Sequence, residues 1–392
     1  MSDAPHRILA LGLAALLAFA PLPGAAASLD TPARAAIVID HDTGTVLLEK
    51  NADTPLPPAS MSKLMTLYML FEALKDGRVS MDETLPVSER AQSMQGSTMF
   101  LDTTDRVSVE DLILGIIVQS GNDACVVVAE RLAGSEEEFS RRMTTRAREM
   151  GMMDSVFANS TGWPDPQHRM STRDLATLAT RMIRDFPDYY EYFARAEFDF
   201  DGRAPSNRFN RNPLLGLTIG ADGLKTGHTE EAGYGLVGSA IQDGRRVTMV
   251  VTGLESNQSR LAESERLITW AFREFASRQV YAPGEAILNA DVWLGQTATV
   301  QLVAPEGITA IIPWTERDKM QAWVEYDGPI EAPVAAGDLV AELVIALPGI
   351  GETRYPLAAG ADVARGGFLK KLQASATILM GKAITAAMSS GS

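Results

Sequence analysis

The sequence predicts an α+β fold, a mainly antiparallel sheet with a helical cluster, followed by a small all-β domain and a C-terminal amphipathic helix. Three observations carry this. Strand-like runs lie at both ends of residues 30–278, with helical periodicity between them. Past about Val280 that periodicity stops, and short apolar runs separated by Gly and Pro turns take over. From Arg365 to Ser392 no acidic residue occurs, and the apolar positions fall on one helical arc.

The chain opens with His6 and Arg7, an apolar run Ile8–Ala20, Pro-Leu-Pro-Gly, and the small residues Ala25-Ala26-Ala27. A basic start, an apolar centre and a small-residue site predict a secretory signal over residues 1–27, cut near Ala27. The run is short for a bilayer span. The mature chain is therefore expected outside the cytoplasm.

Ala36–Asp40 and Val46–Glu49 flank Asp42-Thr43-Gly44 and read as a hairpin. Met61–Leu74, Val109–Leu132 (broken near Ser120), Glu136–Met150 and Thr172–Arg184 carry helical spacing. Tyr234–Ile241 and Arg246–Leu254 read as strands around the turn Gln242-Asp243-Gly244, and Glu263–Ala276 as a closing helix. Ser277–Gly284 is the expected seam, dividing a first domain, 28–279, from a β-domain, 280–365. Strands are expected there at Ala290–Leu294, Thr297–Leu302, Gly307–Ile312, Met320–Tyr326 and Leu339–Leu347. In the tail, 366–392, Phe368, Leu369, Leu372, Ala376, Leu379, Met380, Ala383 and Ala387 share one arc, opposite Lys370, Lys371 and Lys382. Ile378 interrupts the polar side. Such a basic amphipathic helix is expected to lie on a membrane surface and hold the protein there peripherally.

Lys and Arg number 35 against 50 Asp and Glu, a net charge of −15. That argues against nucleic-acid binding, which needs a basic surface. The single cysteine, Cys125, excludes an internal disulfide framework and a multi-cysteine zinc site. His6, His41, His168 and His228 are scattered, so no histidine metal centre and no cofactor is expected. Chemistry is left to Ser, Lys, Thr, Asn and carboxylates.

Three separated motifs supply it. Ser60-Met61-Ser62-Lys63 opens the first long helix, where residues three apart share a face. Serine needs a base, and a desolvated lysine near a second cation loses its proton more readily. About one S-x-x-K arises by chance in a chain this long, so the pattern alone is weak. Ser120-Gly121-Asn122 follows the apolar run Leu112–Val118, where a loop can offer a hydroxyl and an amide to a cleft. Lys225-Thr226-Gly227, followed by His228-Thr229, can bind a carboxylate and admit a substrate backbone along a strand edge.

The ordered set S-x-x-K, S-x-N and K-T-G is the active-serine signature of penicillin-binding proteins and β-lactamases. The chain resembles the low-molecular-mass D-alanyl-D-alanine carboxypeptidases among them, from about Ser28 to the C-terminus. Pro58–Thr66, Gln119–Cys125, Asp222–Thr229 and Glu263–Trp270 carry the likeness. The resemblance implies a transpeptidase-like catalytic domain in which Ser60 attacks the carbonyl between two terminal D-alanines of a peptidoglycan stem. It implies Lys63 as base, Ser120 and Lys225 as proton carriers, and Asn122 as a peptide holder. The backbone N–H groups of Ser60 and His228 would form the oxyanion hole, with Thr226, Thr229 and Arg260 near the terminal carboxylate. β-Lactams would be covalent inhibitors. Cys125, one turn from Asn122, has two readings: a small core residue, or a thiol close enough to the site to make activity sensitive to thiol reagents. His168 and Trp163 read as parts of a loop bordering the cleft.

Competing readings are a D,D-endopeptidase of cross-links, a β-lactamase and a non-enzymatic wall-binding module. The β-lactamase reading is opposed by the absence of glutamate from Ser155 to Arg184, where a class A enzyme would need one.

Overall fold

The computed structural model describes residues 6–9, 29–314, 319–347 and 351–367. The expected C-terminal helix lies outside these residues. The chain divides into two compact units, one spanning Leu29–Glu274 and the other continuing from Phe275.

In the first unit, five antiparallel strands form a sheet in the order Val46–Lys50, Ala35–Asp40, Arg245–Leu254, Gly233–Gln242 and Ala221–Thr229. Every residue of Ala35–Asp40 is buried, so this strand is covered on both faces, unlike a half-solvated antiparallel strand. Helices Thr172–Asp185 and Asn257–Glu274 both pack on the neighbouring strand Arg245–Leu254. Ala221–Thr229, which carries the K-T-G motif, is an edge strand.

The helical cluster is built around Lys63–Lys75, where ten of the residues from Lys63 to Leu74 are buried. A helix apolar nearly all round belongs inside a core. Tyr68 and Phe71 pack edge-on against Phe186, with ring centroids 4.9 and 5.8 Å away. Helices Glu136–Glu149 and Thr172–Asp185 start where Ser135 and Ser171 accept hydrogen bonds from the N–H groups of Glu138 and Asp174.

Two local departures shape the site. The first long helix begins at Lys63, and Ala59–Ser62 forms a 3₁₀ turn ahead of it. In that tighter winding, residues three apart eclipse, which brings Ser60 closer over Lys63 than an α-helix would. The expected helix Val109–Leu132 is three pieces: an α-helix Val109–Leu114, a π-helical turn Gly115–Gln119, and an α-helix Asn122–Ala133. Between them Ser120 takes left-handed φ and ψ of 59° and 36°.

In the second unit, a sheet runs in the order Gln321–Tyr326, Leu339–Leu347, Gly351–Ala359, Thr299–Val303, Ala286–Trp293 and Ile330–Glu331. The strand His6–Leu9 pairs antiparallel with Gln321–Tyr326. Phe275–Tyr281 pairs with Ile308–Pro313, so the units part at Glu274 and Phe275, ahead of the seam expected at 279. Phe275–Tyr281 escaped the sequence reading because its middle, Ser277–Gln279, is exposed and shows no apolar alternation. Gly351–Ala359 was missed for the same reason: only its last three residues are buried. Leu302, Val324, Leu343, Ile345 and Leu357 form the core of this unit. Among the described residues, no helix is long and apolar enough to cross a membrane.

Candidate active site

The three motifs converge between the edge strand and the helical cluster. Ser60 is half-buried in its 3₁₀ turn, and Lys63 is fully buried one turn on. The Lys63 Nζ lies 2.9 Å from Ser60 Oγ, 2.7 Å from Asn122 Oδ1 and 2.6 Å from the Thr161 carbonyl oxygen. Protonated, Lys63 can donate to all three. A neutral amine has only two N–H groups and one lone pair. Asn122 Oδ1 and the Thr161 carbonyl can only accept, so they claim the N–H groups, and the lone pair faces the Ser60 hydroxyl. Burial brings the Lys63 pKa down to about 8, with the Arg211 charge adding to the depression.

Asn122 is fixed at both ends of its amide. Its Nδ2 donates to the Gln95 carbonyl at 2.7 Å, which aims Oδ1 at Lys63. The side chain expected to hold a peptide is thus engaged with the lysine and the loop of Gln95. Its backbone N–H donates to the Ser97 carbonyl at 2.7 Å.

Across the cleft, Lys225 is buried, and its Nζ donates to Ser120 Oγ at 3.0 Å and to the Thr226 carbonyl at 3.3 Å. Its pKa is held well below the ordinary lysine value by burial, then by the charges of Lys63 and Arg211. Two buried lysines therefore share one site, each bonded only to neutral oxygens in the hydrogen bonds above. Thr226 is buried beside Lys225, and Thr229 Oγ1 accepts from the Ala232 N–H.

Gly227 sits where a Cβ would come 2.9 Å from the Pro58 carbonyl oxygen and 3.0 Å from Met61 Cγ. Its smallness is explained by the edge strand packing on the turn that carries Ser60, in addition to any room for a substrate backbone. Gly162 has φ +79°, and a Cβ there would lie 1.9 Å from the Ala59 carbonyl oxygen. At Gly235 a Cβ would meet Met61 Cε at 2.7 Å. Three glycines thus press against the turn Pro58–Ser62.

His228 is exposed, with its ring 3.9 Å from that of Tyr234. Arg260 lies 5.7 Å from the same Tyr234 ring and is buried. It donates to Asn257 Oδ1 at 2.6 Å and, at 3.4 Å, to the carbonyls of Gly235 and Arg211. Its buried Nε has no hydrogen-bond partner among the described residues. Burial lowers its pKa to about 10.

Three groups at the site had no signal in the sequence reading. Thr161 contributes a carbonyl, which no side-chain pattern can report. Glu136 is buried and accepts from both the N–H and the Oγ of Ser160 at 3.1 and 2.7 Å, while its other oxygen takes Arg90. It thereby fixes the loop that presents Thr161. Arg211 donates to the Gln119 carbonyl at 2.6 Å and to Ser97 Oγ at 2.9 Å, and its charge acts on both lysines.

Cys125 is buried, and burial pushes its thiol pKa up to about 12, as befits a core residue. His168 is buried against Phe157; its Nδ1 accepts from the Ala158 N–H at 3.3 Å, and burial lowers its pKa to about 4. Trp163 borders the cleft: a Cβ at Gly96 would meet its ring at 2.9 Å and Asn122 Nδ2 at 3.2 Å. Among the described residues, no cluster of three or more His, Cys, Asp or Glu side chains could hold a metal ion.

Comparison with known proteins follows the same division of the chain. The family profile described as D-alanyl-D-alanine carboxypeptidase matches residues 23–256, and that of the penicillin-binding protein 5 C-terminal domain matches 275–365. D-alanyl-D-alanine carboxypeptidase DacC of Escherichia coli (strain K12) is 37% identical over 379 residues, spanning 93% of this chain and 94% of that protein. The crystal structure of penicillin-binding protein 5 from Haemophilus influenzae superposes with a TM-score of 0.77 at 33% identity, over 86% of this chain and 99% of that one. A D-alanyl-D-alanine endopeptidase of Pseudomonas aeruginosa is 28% identical over 270 residues, 67% of this chain and 85% of that protein.

Proposed function

The chain belongs to the D-alanyl-D-alanine carboxypeptidase family, and from that premise we propose how its residues divide the work. It is a serine-type D-alanyl-D-alanine carboxypeptidase, a penicillin-binding hydrolase acting on cell-wall peptides through an acyl-enzyme. The observation that carries the assignment of roles is the Lys63 nitrogen held by two acceptors with its third position on Ser60.

Neutral Lys63 takes the Ser60 proton as Ser60 Oγ attacks the carbonyl between the two D-alanines. As the C–N bond breaks, Ser120, held by Lys225, gives its hydroxyl proton to the leaving D-alanine nitrogen and is reprotonated with the proton that Lys63 took from Ser60. Water then releases the shortened stem from Ser60. The oxyanion is met by the backbone N–H groups of Ser60 and His228, brought together where Gly227 packs on Pro58. One such donor contributes about 2.7–4 kcal/mol in a known protease. Asn122 acts chiefly by orienting Lys63. Thr226, Thr229 and Arg260 receive the terminal carboxylate.

An endopeptidase reading is disfavoured by the extent of the likeness: the carboxypeptidase relative spans nearly the whole chain, the endopeptidase two thirds of it. A β-lactamase reading is disfavoured because the buried Glu136 has its oxygens engaged with Ser160 and Arg90, leaving none free for a deacylating water. The leader 1–27 places the mature protein in the periplasm, and its removal would take the strand His6–Leu9 with it. The basic tail 366–392 holds the protein on the membrane surface.

The test is intact-mass detection of a penicilloyl adduct with its site mapped. Addition on Ser60, lost in Ser60→Ala, is expected; an adduct surviving in Ser60→Ala would rule Ser60 out. Side-by-side incubation with a pentapeptide and a cross-linked dimer decides the substrate.

A further inference from the structure

Among the described residues of the Leu29–Glu274 unit, the exposed large aromatic side chains are Phe100 at 61%, Phe209 at 57% and Trp163 at 44%. Phe100 and Phe209 stand on loops fastened to the same motif, Ser120-Gly121-Asn122, and Trp163 on a loop fastened to Lys63. Phe100 lies between Met99 and Leu101, whose N–H groups donate at 3.0 and 3.1 Å to the buried Asp123, next to Asn122. Phe209 lies two residues before Arg211, which donates to the carbonyl of Gln119, next to Ser120. Trp163 lies two residues after Thr161, the acceptor of Lys63. The first two loops also join each other, since Arg203 donates to the Phe100 carbonyl at 3.2 Å.

Phe100 has a second peculiarity. Its φ is 61°, the left-handed region in which a bulky side chain is strained. Strain of that kind persists where it serves a function. Here it holds an exposed ring in solvent, where nothing in the core uses it. At the other loop, the Arg208 guanidinium lies 4.7 Å from the Phe209 ring, with Glu197 3.5 Å from it. Exposed aromatic surface with arginine beside it marks a recognition surface.

A free stem peptide ends within a few residues of the scissile bond, whereas the stem in the wall is joined to a saccharide strand. A pyranose ring presents an apolar C–H face ringed by hydroxyls, which suits a flat aromatic face with a hydrogen-bond donor at its edge. We propose that Phe100 and Phe209, with Arg208, form a saccharide subsite that holds the glycan attached to the stem peptide. This rests on the carboxypeptidase reading above.

The experiment measures D-alanine release by the full chain from a free pentapeptide, a sugar-free cross-linked peptide dimer, and glycan-linked pentapeptide. Wild type is expected to show a higher kcat/KM on the glycan-linked substrate. Phe209→Ser and Phe100→Asn each lower that value about three- to tenfold, the worth of one aromatic contact. Free-pentapeptide hydrolysis is expected to stay within about twofold, the result for residues outside the catalytic machinery. Phe100→Asn should also raise the Tm, because asparagine tolerates the left-handed region. Equal rates on free and glycan-linked stems, an equal gain with the sugar-free dimer, or variants that lower all substrates alike would overturn the subsite. Release from none of the substrates would overturn the carboxypeptidase reading itself.

Discussion

Lys225 Nζ and Ser120 Oγ are 3.0 Å apart, joining the edge of the sheet to the helical cluster across the cleft. Ser120 can reach the lysine because it breaks the helix in a left-handed conformation after a π-helical turn. The S-x-N and K-T-G motifs, 105 residues apart in the chain, are thus joined by one hydrogen bond.

Lys63→Arg should keep the charge and lose the base, since arginine does not deprotonate in proteins. Penicillin acylation is expected to fall about 10²- to 10⁴-fold. In wild type, the acylation rate should rise with pH, reach half its maximum near 8, where Lys63 is half neutral, and level off above that. Stopped-flow labelling with a fluorescent penicillin across pH measures both. A flat profile from pH 6 to 9 would remove Lys63 from the role.

Arg211→Ala should move that acid limb upward. Arg211 helps hold the pKa of both lysines down, so removing its charge lets them rise. Stopped-flow labelling across pH reads the upward shift of the limb. An unchanged limb with reduced rate would leave Arg211 only its contacts with Gln119 and Ser97.

Gly227→Ala should push the edge strand off the nucleophile turn, because the new Cβ meets Pro58 and Met61. Overpacking of this kind costs about 1–3 kcal/mol. Acylation should drop at least about tenfold, since misplacement by an ångström near the chemistry costs more than that. Circular dichroism and labelling on the same sample separate the two effects.

His168 should make the fold acid-sensitive in a defined window. Its pKa is about 4 in the native chain against an ordinary 6.5, so the unfolded chain binds the extra proton. Its contribution is whole above pH 6.5, declines as pH falls from there towards 4, and costs about 3 kcal/mol once both states are protonated. His41, lowered to about 4, adds in the same direction. Urea midpoints at pH 7 and 4.5 should differ less in His168→Gln than in wild type. An equal difference would assign the acid loss to other groups.

The sequence carried the site wherever a side-chain type and spacing identify chemistry. Ser60 and Lys63 are local to one another, and three short motifs in order compensate for the weakness of each. It did not carry Thr161, whose contribution is a backbone carbonyl 98 residues from the lysine it touches. Nor did it carry Glu136 or Arg211, ordinary residues whose meaning arises only from long-range packing. The sheet was legible at Gly233–Gln242 and Arg245–Leu254, where apolar runs meet at a turn. Ala221–Thr229 was legible only as a strand edge at Lys225-Thr226-Gly227, because its glycines and polar residues leave no apolar run. Phe275–Tyr281, exposed at Ser277, Arg278 and Gln279, left no alternation to read.

The three glycines around Pro58–Ser62 bear on how such an enzyme could evade a drug. Any side chain at Gly162, Gly227 or Gly235 would press on the turn that bears Ser60. A mutation there that hinders a β-lactam must also hinder the native peptide, since both are attacked by the same oxygen from the same turn. Heritable escape is therefore channelled outward, to rim positions such as Trp163, where a change can alter the two ligands unequally.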